Sequence, residues 1–568
     1  MTHAEPVDFA KIAGAVMRLV TQDPQYKVGE AEVRGNTYRV FENAPASLVS
    51  LFEKGAAHRD RDFILYEDEA YSFEETWRRA LQIADTLKKD YGVKPGDRVA
   101  IAMRNYPEWC FAYMGVIALG GVVAPLNAWW KTEELAFALK DCEAQIVFVD
   151  GKRLERLKPV REEMGLTLIL ARDVGEGADA HFDDVLAAGA PNPPYAETDP
   201  DADFCILYTS GSTGRPKGVI LTHRSAVSAI VSWAFLMTAL AEARGGVSLL
   251  GDNPGILMGI PLFHVTGSHS NFMLSYYVGR RMAMMFRWDP DEAVEMINKH
   301  KITNFVGVPS QSFDIMMAAG DREMPSLLDL NAGGAKRPPA HVKMLRERFA
   351  NTNLTAGYGL TETNAAGCIN SMDDYFKRPD STGRPTPPLI DLKIELDNGE
   401  AAPVGEVGEV LLRGPIVFRG YLNMPEETAA ALTSDGWFRT GDLGRVDAEG
   451  FLYVVDRKKD LIIRGGENIS CLEVEARAYE HSDIAEATVF SVPDDALGER
   501  VGMVVFPKEG VTIDPKALRD FIAADLAEFK VPERIWIAPA PLPRLATAKI
   551  DKRTARSIAL EHPPAWTA

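Results

Sequence analysis

Between about residues 95 and 365, short apolar runs alternate with stretches that carry helix signals. The segment Asp289-Pro290-Asp291-Glu292 supplies an N-cap, a proline in the first turn and acidic residues, and it predicts a helix that reaches His300. Such alternation is typical of parallel sheets covered by helices. The apolar runs cover residues 99–103, 146–149, 204–208, 256–261, 305–308 and 327–330. The predicted fold class is therefore α/β.

The chain has 568 residues, which is too many for a single hydrophobic core of ordinary size. The sequence pattern also changes after residue 390. Turn signals at 397–399 and 447–450 separate strand-like runs, which predicts an antiparallel β-rich subdomain up to about residue 455. We predict a large N-terminal domain (1–456) of helix-covered sheets plus this subdomain. A small mobile α+β C-terminal domain (457–568) would follow, with a charged hinge at 456–460.

Composition excludes several classes of protein. The formal net charge is -19 and no dense Lys/Arg block occurs, so a nucleic-acid partner is not expected. The five scattered cysteines lack C-x-x-C spacing, which argues against a disulfide framework or a zinc site. The polar N-terminus does not look like a signal peptide, and no run of about 18 apolar residues predicts a transmembrane helix. We expect a cytoplasmic protein and leave its oligomeric state open, a homodimer among the options.

The apolar strand at 204–208 runs directly into a loop rich in Gly, Ser and Thr, Thr209-Ser210-Gly211-Ser212-Thr213-Gly214-Arg215-Pro216-Lys217-Gly218. Its glycines let the backbone approach a ligand closely, and its hydroxyls, N–H groups and Lys217 can donate to phosphate oxygens. The spacing is not that of a P-loop kinase or GTPase. Because ligands of open α/β sheets bind outside the carboxyl ends of strands, we predict a phosphate-binding loop rather than a flexible surface loop.

This loop resembles the phosphate loop of the adenylate-forming superfamily, which comprises acyl- and aryl-CoA synthetases, peptide-synthetase adenylation domains and luciferases. Other segments resemble the remaining motifs of that superfamily, in its order, between residues 208 and 549. They are the acyl-pocket motif Pro261-Leu262-Phe263-His264, the nucleotide-pocket motifs Gly333-Gly334-Ala335 and Gly357-Tyr358-Gly359-Leu360-Thr361-Glu362, the ribose motif at 436–442, the hinge motif at 456–460 and the thiolation start Gly465-Gly466-Glu467-Asn468. The ordered set indicates an acyl-CoA synthetase.

The resemblance implies ATP-dependent activation of a small-molecule carboxylic acid to acyl-AMP with pyrophosphate release, then transfer to coenzyme A. Both reactants of the first step are anions, so the site must neutralise charge as they meet. The resemblance implies that Glu362 helps to hold Mg²⁺, that Thr361 donates to a phosphate or acyl oxygen, and that Tyr358 stacks on the adenine ring. Asp442 and Arg457 would bind ribose. Further cofactor contacts are implied for Thr209, Ser210, Gly211, Ser212, Thr213, Gly214, Lys217, Gly333, Gly334, Ala335, Gly357 and Gly359.

Ordinary structural roles compete with these assignments. Glu362 would otherwise be a solvated loop carboxylate, and Tyr358 a core residue. Asp442 would be a turn residue. Arg457 would form an ion pair with Asp456 or Asp460.

Lys549 resembles the superfamily's adenylation lysine, with Lys552 as the nearest alternative. The superfamily usually has Gly before this lysine, and this chain has Ala548, which would be strained if that position needs a positive φ. The resemblance makes Lys458 the hinge residue. Rotation would withdraw Lys549 and bring Gly465 and Gly466 to a pantetheine tunnel. Residues 470–472 also depart from the usual motif.

The acid is less constrained. Members that activate amino acids carry Asp where this chain has His264, which is expected to form a wall between the acyl and thiol tunnels. Small residues at 265–268, with Met273, Met282, Met284 and Met285 nearby, suit an adaptable fatty-acyl tunnel, although core packing explains the methionines equally well. A medium- or long-chain fatty acid is the first expectation, and an aryl acid such as a cinnamate or benzoate the second. An acyl-AMP ligase without CoA, a luciferase-like oxidase and a nucleotide-binding regulator are the other classes.

Overall fold

The computed structural model describes residues 7, 9–173, 175–195, 198–209, 216–545 and 548–568. The α-helices within these residues are α1 (Phe9–Gln22), α2 (Leu48–Ala56), α3 (Phe73–Lys89), α4 (Pro107–Ala118), α5 (Thr132–Asp141), α6 (Gly151–Leu157), α7 (Arg161–Met164), α8 (Phe182–Ala188), α9 (His223–Ala243), α10 (Leu274–Val278), α11 (Pro290–Lys299), α12 (Pro309–Ala319), α13 (Pro339–Arg348), α14 (Met372–Lys377), α15 (Pro425–Ala431), α16 (Cys471–Ala478), α17 (Pro515–Ala523) and α18 (Lys552–Leu560). A π-helical segment, Thr266–Met273, precedes α10.

The strands of the described residues are β1 (Val28–Val33), β2 (Asn36–Phe41), β3 (Asp62–Tyr66), β4 (Glu69–Ser72), β5 (Arg98–Ala102), β6 (Val122–Pro125), β7 (Ile146–Val149), β8 (Thr167–Leu170), β9 (Ala180–His181), β10 (Asp203–Thr209), β11 (Lys217–Thr222), β12 (Gly255–Met258), β13 (Arg281–Met284), β14 (Asn304–Gly307), β15 (Asp329–Gly333), β16 (Asn353–Gly359), β17 (Gly367–Ser371), β18 (Arg384–Pro385), β19 (Asp391–Glu395), β20 (Gly408–Arg413), β21 (Gly420–Tyr421), β22 (Trp437–Val446), β23 (Leu452–Arg457), β24 (Ile462–Arg464), β25 (Glu467–Ile469), β26 (Ile484–Asp494), β27 (Gly498–Pro507), β28 (Arg534–Ile537) and β29 (Trp566–Thr567).

Two large sheets form the centre of the fold. One has eight strands in the order β21-β11-β10-β6-β5-β7-β8-β9, and the other nine in the order β18-β17-β16-β15-β14-β12-β13-β3-β4. Their central strands pair in parallel, as in β5 with β6 and in β14 with β15. Apolar side chains of α2, α3, α4 and α9 join both sheets in one core cluster. The predicted α/β class is confirmed.

The helices between the sheets are buried because they are apolar on more than one face. In α4 every residue except Glu108 is buried.

The helix predicted at residue 289 begins at Pro290, with the Asp289 carboxylate accepting from two backbone N–H groups as its N-cap. Helix α9 is long and apolar enough to cross a membrane, yet 67% of its most apolar window is buried inside this fold. It therefore serves as a core helix here.

The chain after residue 390 forms two smaller sheets. Strands β19, β20, β22 and β23 make an antiparallel sheet, as the turn signals predicted. Strands β24 to β29 make a second sheet, which packs with α16 and α17 around its own apolar cluster. The predicted boundary at residue 456 falls in β23, whose last residue is Arg457. All five cysteines are free and buried.

Candidate active site

A cavity of 2320 Å³ is lined by the carboxyl ends of strands in the nine-stranded sheet, by β22 and β23, and by residues near the C-terminus. Separate sequence motifs therefore meet in one place. The predicted site residues that line the cavity are Thr209, Lys217, His264, Gly333, Gly334, Ala335, Gly357, Tyr358, Gly359, Thr361, Glu362, Asp442, Arg457, Lys458 and Lys549. The predicted phosphate-loop residues Ser210, Gly211, Ser212, Thr213 and Gly214 lie outside the described residues.

Asp442 is the centre of a small polar cluster on the cavity wall. Its side chain is buried, and its Oδ2 accepts a hydrogen bond from the Tyr358 hydroxyl at 2.7 Å. The Arg457 Nε lies 3.1 Å from its Oδ1, because β22 and β23 place these two residues directly opposite each other. Burial raises the pKa of Asp442, and the Arg457 charge opposes this rise. Arg457 thus forms its ion pair with Asp442 and not with Asp456 or Asp460, the alternatives considered from the sequence.

Glu362 lies in the short 3₁₀ turn Thr361–Thr363 and is buried, not solvated. Its Oε1 accepts from the Tyr421 hydroxyl at 2.9 Å, while burial raises its pKa. The Lys217 ammonium lies 5.1 Å from the centre of the same Tyr421 ring. Tyr421 therefore connects the phosphate-loop lysine with the carboxylate expected to hold the metal. Sequence reasoning missed Tyr421, because β21 is only two residues long and belongs to no motif.

Mg²⁺ fits a site with a single protein carboxylate, since it keeps several waters and binds substrate phosphates. No cluster of three or more His, Cys, Asp or Glu suited to a metal is found among the described residues. The Tyr421 hydroxyl donates to one of the two Glu362 oxygens, Oε1, and Glu362 lines the cavity. The residues present thus fit a metal that is held mainly by a nucleotide and by water.

Lys549 reaches the cavity from a tight hairpin. The Leu545 N–H donates to the Lys549 carbonyl at 2.8 Å, and the Ala548 N–H donates to the Leu545 carbonyl at 2.9 Å. A methyl group on Gly334 would lie 2.9 Å from the Lys549 Nζ, which shows how closely the lysine passes this glycine. Burial and the Arg457 charge lower the pKa of Lys549 to about 8, and Asp442 opposes the change. Lys552 instead forms an ion pair with Glu475 at 2.9 Å.

Ala548 has φ +63°, in the left-handed region that favours glycine. The condition stated from the sequence is therefore met: the position does need a positive φ, and alanine occupies it. The cost of a left-handed conformation for an L-residue is about 1–2 kcal/mol. The hairpin's hydrogen bonds hold the strained residue in place.

Gly465 and Gly466 are the predicted site residues in the described part of the chain that do not reach the cavity. They form the exposed turn between β24 and β25, where the Gly465 N–H donates to the Leu497 carbonyl at 2.8 Å. Lys458, at the predicted hinge, places its Nζ 3.3 Å from Asp397. The structure therefore has Lys549 at the cavity and the two glycines away from it.

His264 lies just before the π-helical segment. Its Nδ1 accepts from the Thr266 N–H at 3.3 Å, which leaves Nε2 as the protonated nitrogen. Burial, with the Lys549 charge, lowers the pKa of His264 to about 3, so the ring is neutral. His269 is fully buried and does not line the cavity.

The acyl side of the cavity differs from the sequence expectation. The residues Met273, Met282, Met284 and Met285 are core residues, and none lines the cavity. One apolar wall comes from α9, with Trp233, Leu236, Met237 and Leu240 at the helical spacing of a single face. The sequence did not predict this wall, because the sequence of an apolar helix does not indicate which of its faces lines a cavity.

This architecture, with a small C-terminal unit that supplies a lysine to a cavity at the carboxyl edge of a helix-covered sheet, is that of adenylate-forming enzymes. The sequence profile described as "AMP-binding enzyme" matches residues 51–422, and "AMP-binding enzyme C-terminal domain" matches residues 473–549. The chain belongs to the AMP-binding enzyme family.

Several relatives cover most of the chain. It is 32% identical to the long-chain-fatty-acid–CoA ligase of Bacillus subtilis (strain 168), over 89% of this chain and 92% of that one. It is 29% identical to 4-coumarate–CoA ligase 1 of Solanum tuberosum, over 86% and 89%. The solved o-succinylbenzoate CoA synthetase of Bacillus subtilis, bound to its acyl-adenylate intermediate, has a TM-score of 0.76 at 28% identity, over 89% and 97%. The same enzyme is known with ATP and a magnesium ion, with a TM-score of 0.76 at 27% identity over 89% and 99%.

These relatives are named for different acids at about the same identity. What they share is the AMP-forming acid–thiol ligase reaction, so the chain is an acyl- or aryl-CoA ligase that uses ATP and coenzyme A. The particular acid is not given by the comparisons, and it has to be argued from the cavity.

Proposed function

We propose that this protein activates a medium- or long-chain carboxylic acid as acyl-AMP, releases pyrophosphate, and then forms the acyl-CoA thioester in the same cavity. The observation that carries the proposal is the meeting of Lys217, Glu362, Asp442 and Lys549 at one cavity, although they come from four separate segments. Such convergence offers donors and cations to an adenosine polyphosphate and an acid bound side by side.

In the first step the acid's carboxylate oxygen attacks the α-phosphorus of ATP, and the bond to pyrophosphate breaks. Two anions must approach, so cations at the reacting atoms stabilise the transition state more than the separated reactants. We assign this role to Lys549, whose ammonium passes Gly334 at the sheet edge. Lys217 would hold the β- and γ-phosphates, and Thr361 would donate to a phosphate or acyl oxygen. Asp442 would accept hydrogen bonds from the ribose hydroxyls.

Glu362 is assigned to the divalent ion, which when bound as Mg²⁺ neutralises phosphate charge. Tyr421 bonds the Oε1 atom of this buried carboxylate, and Oε2 would bind the ion. Tyr358 is assigned to adenine stacking, and its hydrogen bond to Asp442 fixes the orientation of the ring. Gly333, Ala335, Gly357 and Gly359 would bring backbone close to the purine. Arg457 would turn from Asp442 toward the ribose.

The second step needs the CoA thiol at the acyl carbonyl, where Lys549 now lies. We propose that the C-terminal domain (457–568) rotates against the N-terminal domain (1–456) about Lys458. Lys549 would then withdraw, and the exposed Gly465–Gly466 turn would line the pantetheine path. Hinge closure of this kind assembles each half-reaction in turn. His264, neutral and at the cavity wall, would separate the acyl and thiol channels.

The test is acid-dependent pyrophosphate release by the purified protein, with and without CoA, on a panel of fatty and aryl acids. We expect release that depends on an acid, and a thioester only when CoA is present. A medium- or long-chain acid should give the highest kcat/KM, because the α9 wall offers four large apolar side chains. Benzoate or 4-coumarate as the best substrate would reject the chain-length assignment. Release without any thioester would reject the second step.

A further inference from the structure

The depth of the acyl side of the cavity can be read from strand register. Along β15, residues 329, 331 and 333 point to the same face of the sheet, because side chains alternate in a strand. Gly333 pairs with Gly357 at the nucleotide edge, next to the glycine that Lys549 passes. Asp329 pairs with Asn304 at the opposite edge and also lines the cavity. At about 3.3 Å per residue, the cavity extends about 13 Å along this strand.

The sheet side of this channel is polar, although the α9 side is apolar. Asn304, Asp329, Asn331 and Thr355 all line the cavity and occupy the two deeper register rows. Three of them are buried, and Asn331 is partly buried. Asn304 bonds Thr303 and the Leu249 carbonyl, and Thr355 bonds Asn353 and Asp329, so these side chains are satisfied within the protein. The deep end is polar on its sheet side, and the question is which of its groups still lacks a partner.

Arg280 lies at this deep end, immediately before β13, and only 1% of it is exposed. Its Nε donates to Ser275 Oγ at 2.9 Å and its Nη2 to the Ser270 carbonyl at 3.2 Å. Within the described residues its Nη1 has no acceptor, and no carboxylate forms an ion pair with it. A buried guanidinium that keeps unused donors beside a cavity is costly to fold unless a ligand or water accepts from it.

Asp329 and Asn331 complete the set. The Asp329 carboxylate accepts from Asn353 at 2.7 Å and also from Asn331, and burial raises its pKa to about 6. It interacts electrostatically with Arg280 but forms no ion pair with it. Asn331 Oδ1 is buried without a hydrogen-bond partner among the described residues. One strong donor with an unused N–H, Arg280, thus remains at the end of the channel, whereas the unpartnered Asn331 Oδ1 is buried away from it.

We propose that this deep end is a subsite for an oxygen atom on the substrate, remote from the carboxylate that reacts. The substrate would be an acid whose far end carries a hydroxyl or a second carboxylate, which accepts from Arg280. This inference rests on the proposed function, because it takes the cavity beside Gly333 to be the acyl site.

The experiment compares dodecanoate, ω-hydroxydodecanoate and dodecanedioate, which share one chain length and differ only at the far end. Acid-dependent pyrophosphate release gives kcat/KM for each. We expect at least one ω-oxygenated acid to exceed dodecanoate by about tenfold or more, the effect of one hydrogen bond to a charged group. Dodecanoate equal to or better than both oxygenated acids would overturn the inference and leave the ligase function intact. Failure of every acid, aryl acids included, would instead overturn the proposed function.

Variants assign the preference to this site. Arg280→Met should abolish the preference for the oxygenated acid while dodecanoate is still used. The matched control is Arg281→Met, because Arg281 bonds the His300 carbonyl at 3.0 Å and does not line the cavity. Since Arg280 also bonds Ser270 and Ser275, Arg280→Gln serves as a second variant if Arg280→Met does not fold, because its amide can still bond these partners but carries no charge. An unchanged preference in either variant, if it folds, would contradict the proposal.

Discussion

Replacing Asp442 by Asn tests the ribose assignment with little change of shape. The carboxylate is only 3% exposed and both of its oxygens are engaged, one with Arg457 and one with Tyr358. If ribose takes these positions when ATP binds, its two hydroxyls would each donate to a carboxylate oxygen. Asparagine keeps one oxygen, loses the negative charge and presents N–H donors in place of the second acceptor.

The expected magnitude follows from the strength of such bonds. A hydrogen bond to a charged group contributes about 1.5–3 kcal/mol, so losing one ribose contact and the charge should weaken ATP binding about ten- to hundredfold. Asp442→Ala, which removes both acceptors, should weaken it at least as much. Arg457 would be left without its carboxylate in either variant, and this contributes to the loss.

The assay is a double-mutant cycle measured by calorimetry, with ATP and 2′,3′-dideoxyATP as ligands for wild type and Asp442→Asn. Wild type should prefer ATP over 2′,3′-dideoxyATP, and this preference should be about ten- to hundredfold smaller in the variant, which keeps one neutral acceptor for the ribose hydroxyls. Tyr358→Phe is the control, because it removes a hydrogen bond to Asp442 but keeps the charge, so the preference for ATP should persist. The same ATP preference in wild type and Asp442→Asn would refute the assignment.

Three further predictions concern the Lys549 hairpin. Lys549→Ala should slow acyl-adenylate formation about 10²- to 10³-fold and spare thioester formation from supplied acyl-adenylate. Equal loss of both steps, or a similar loss in the exposed control Lys516→Ala, would contradict a role for Lys549 in the first step alone. Because the pKa of Lys549 is lowered to about 8, its charge is lost as pH rises through that value. The value of kcat/KM for adenylation should therefore fall above about pH 8 in wild type and stay level in Lys549→Arg. A parallel fall in both proteins would exclude Lys549 as the titrating group. Ala548→Val should slow adenylation, because a β-branched residue tolerates φ +63° poorly. Ala548→Gly should preserve the rate of adenylation and raise the thermal midpoint or leave it unchanged. A slower glycine variant would contradict the view that glycine relieves an unfavourable backbone conformation at this position.

The sequence predicted those features that depend on local pattern. Alternating apolar runs gave the helix-covered sheets, since each strand and each helix signal lies within a few residues of chain. Cavity-lining positions such as Thr361, Asp442 and Lys549 could be named because each belongs to a motif of fixed order. Their spatial meeting follows from the carboxyl-edge rule for open α/β sheets together with that order.

Features that depend on distant packing could not be predicted. Tyr421 contacts Glu362 and Lys217 only because β21 pairs with β11 across about 200 residues of sequence. Arg280, in a Gly-Arg-Arg run, reads as a solvated surface arginine, yet tertiary packing buries it. The methionines at 282, 284 and 285 were considered as tunnel residues, but the structure places them in the core. The type of a residue tells how hydrophobic it is. Whether that residue lines a cavity depends instead on where the rest of the chain leaves space beside it.

The charge balance of the cavity explains how one site can serve two steps. The chain carries a net charge of -19, yet Lys217, Arg457 and Lys549 all face one cavity. Burial and the Arg457 charge lower the pKa of Lys549, because both disfavour its charged form. Bound ATP and carboxylate would stabilise that form, so they favour the arrangement with Lys549 inside. Binding and closure are then reciprocally linked: the factor by which nucleotide favours closure equals the factor by which closure strengthens nucleotide binding. In the proposed mechanism, the departure of pyrophosphate would remove most of the negative charge that holds Lys549, and this would release the C-terminal domain for the thiol step.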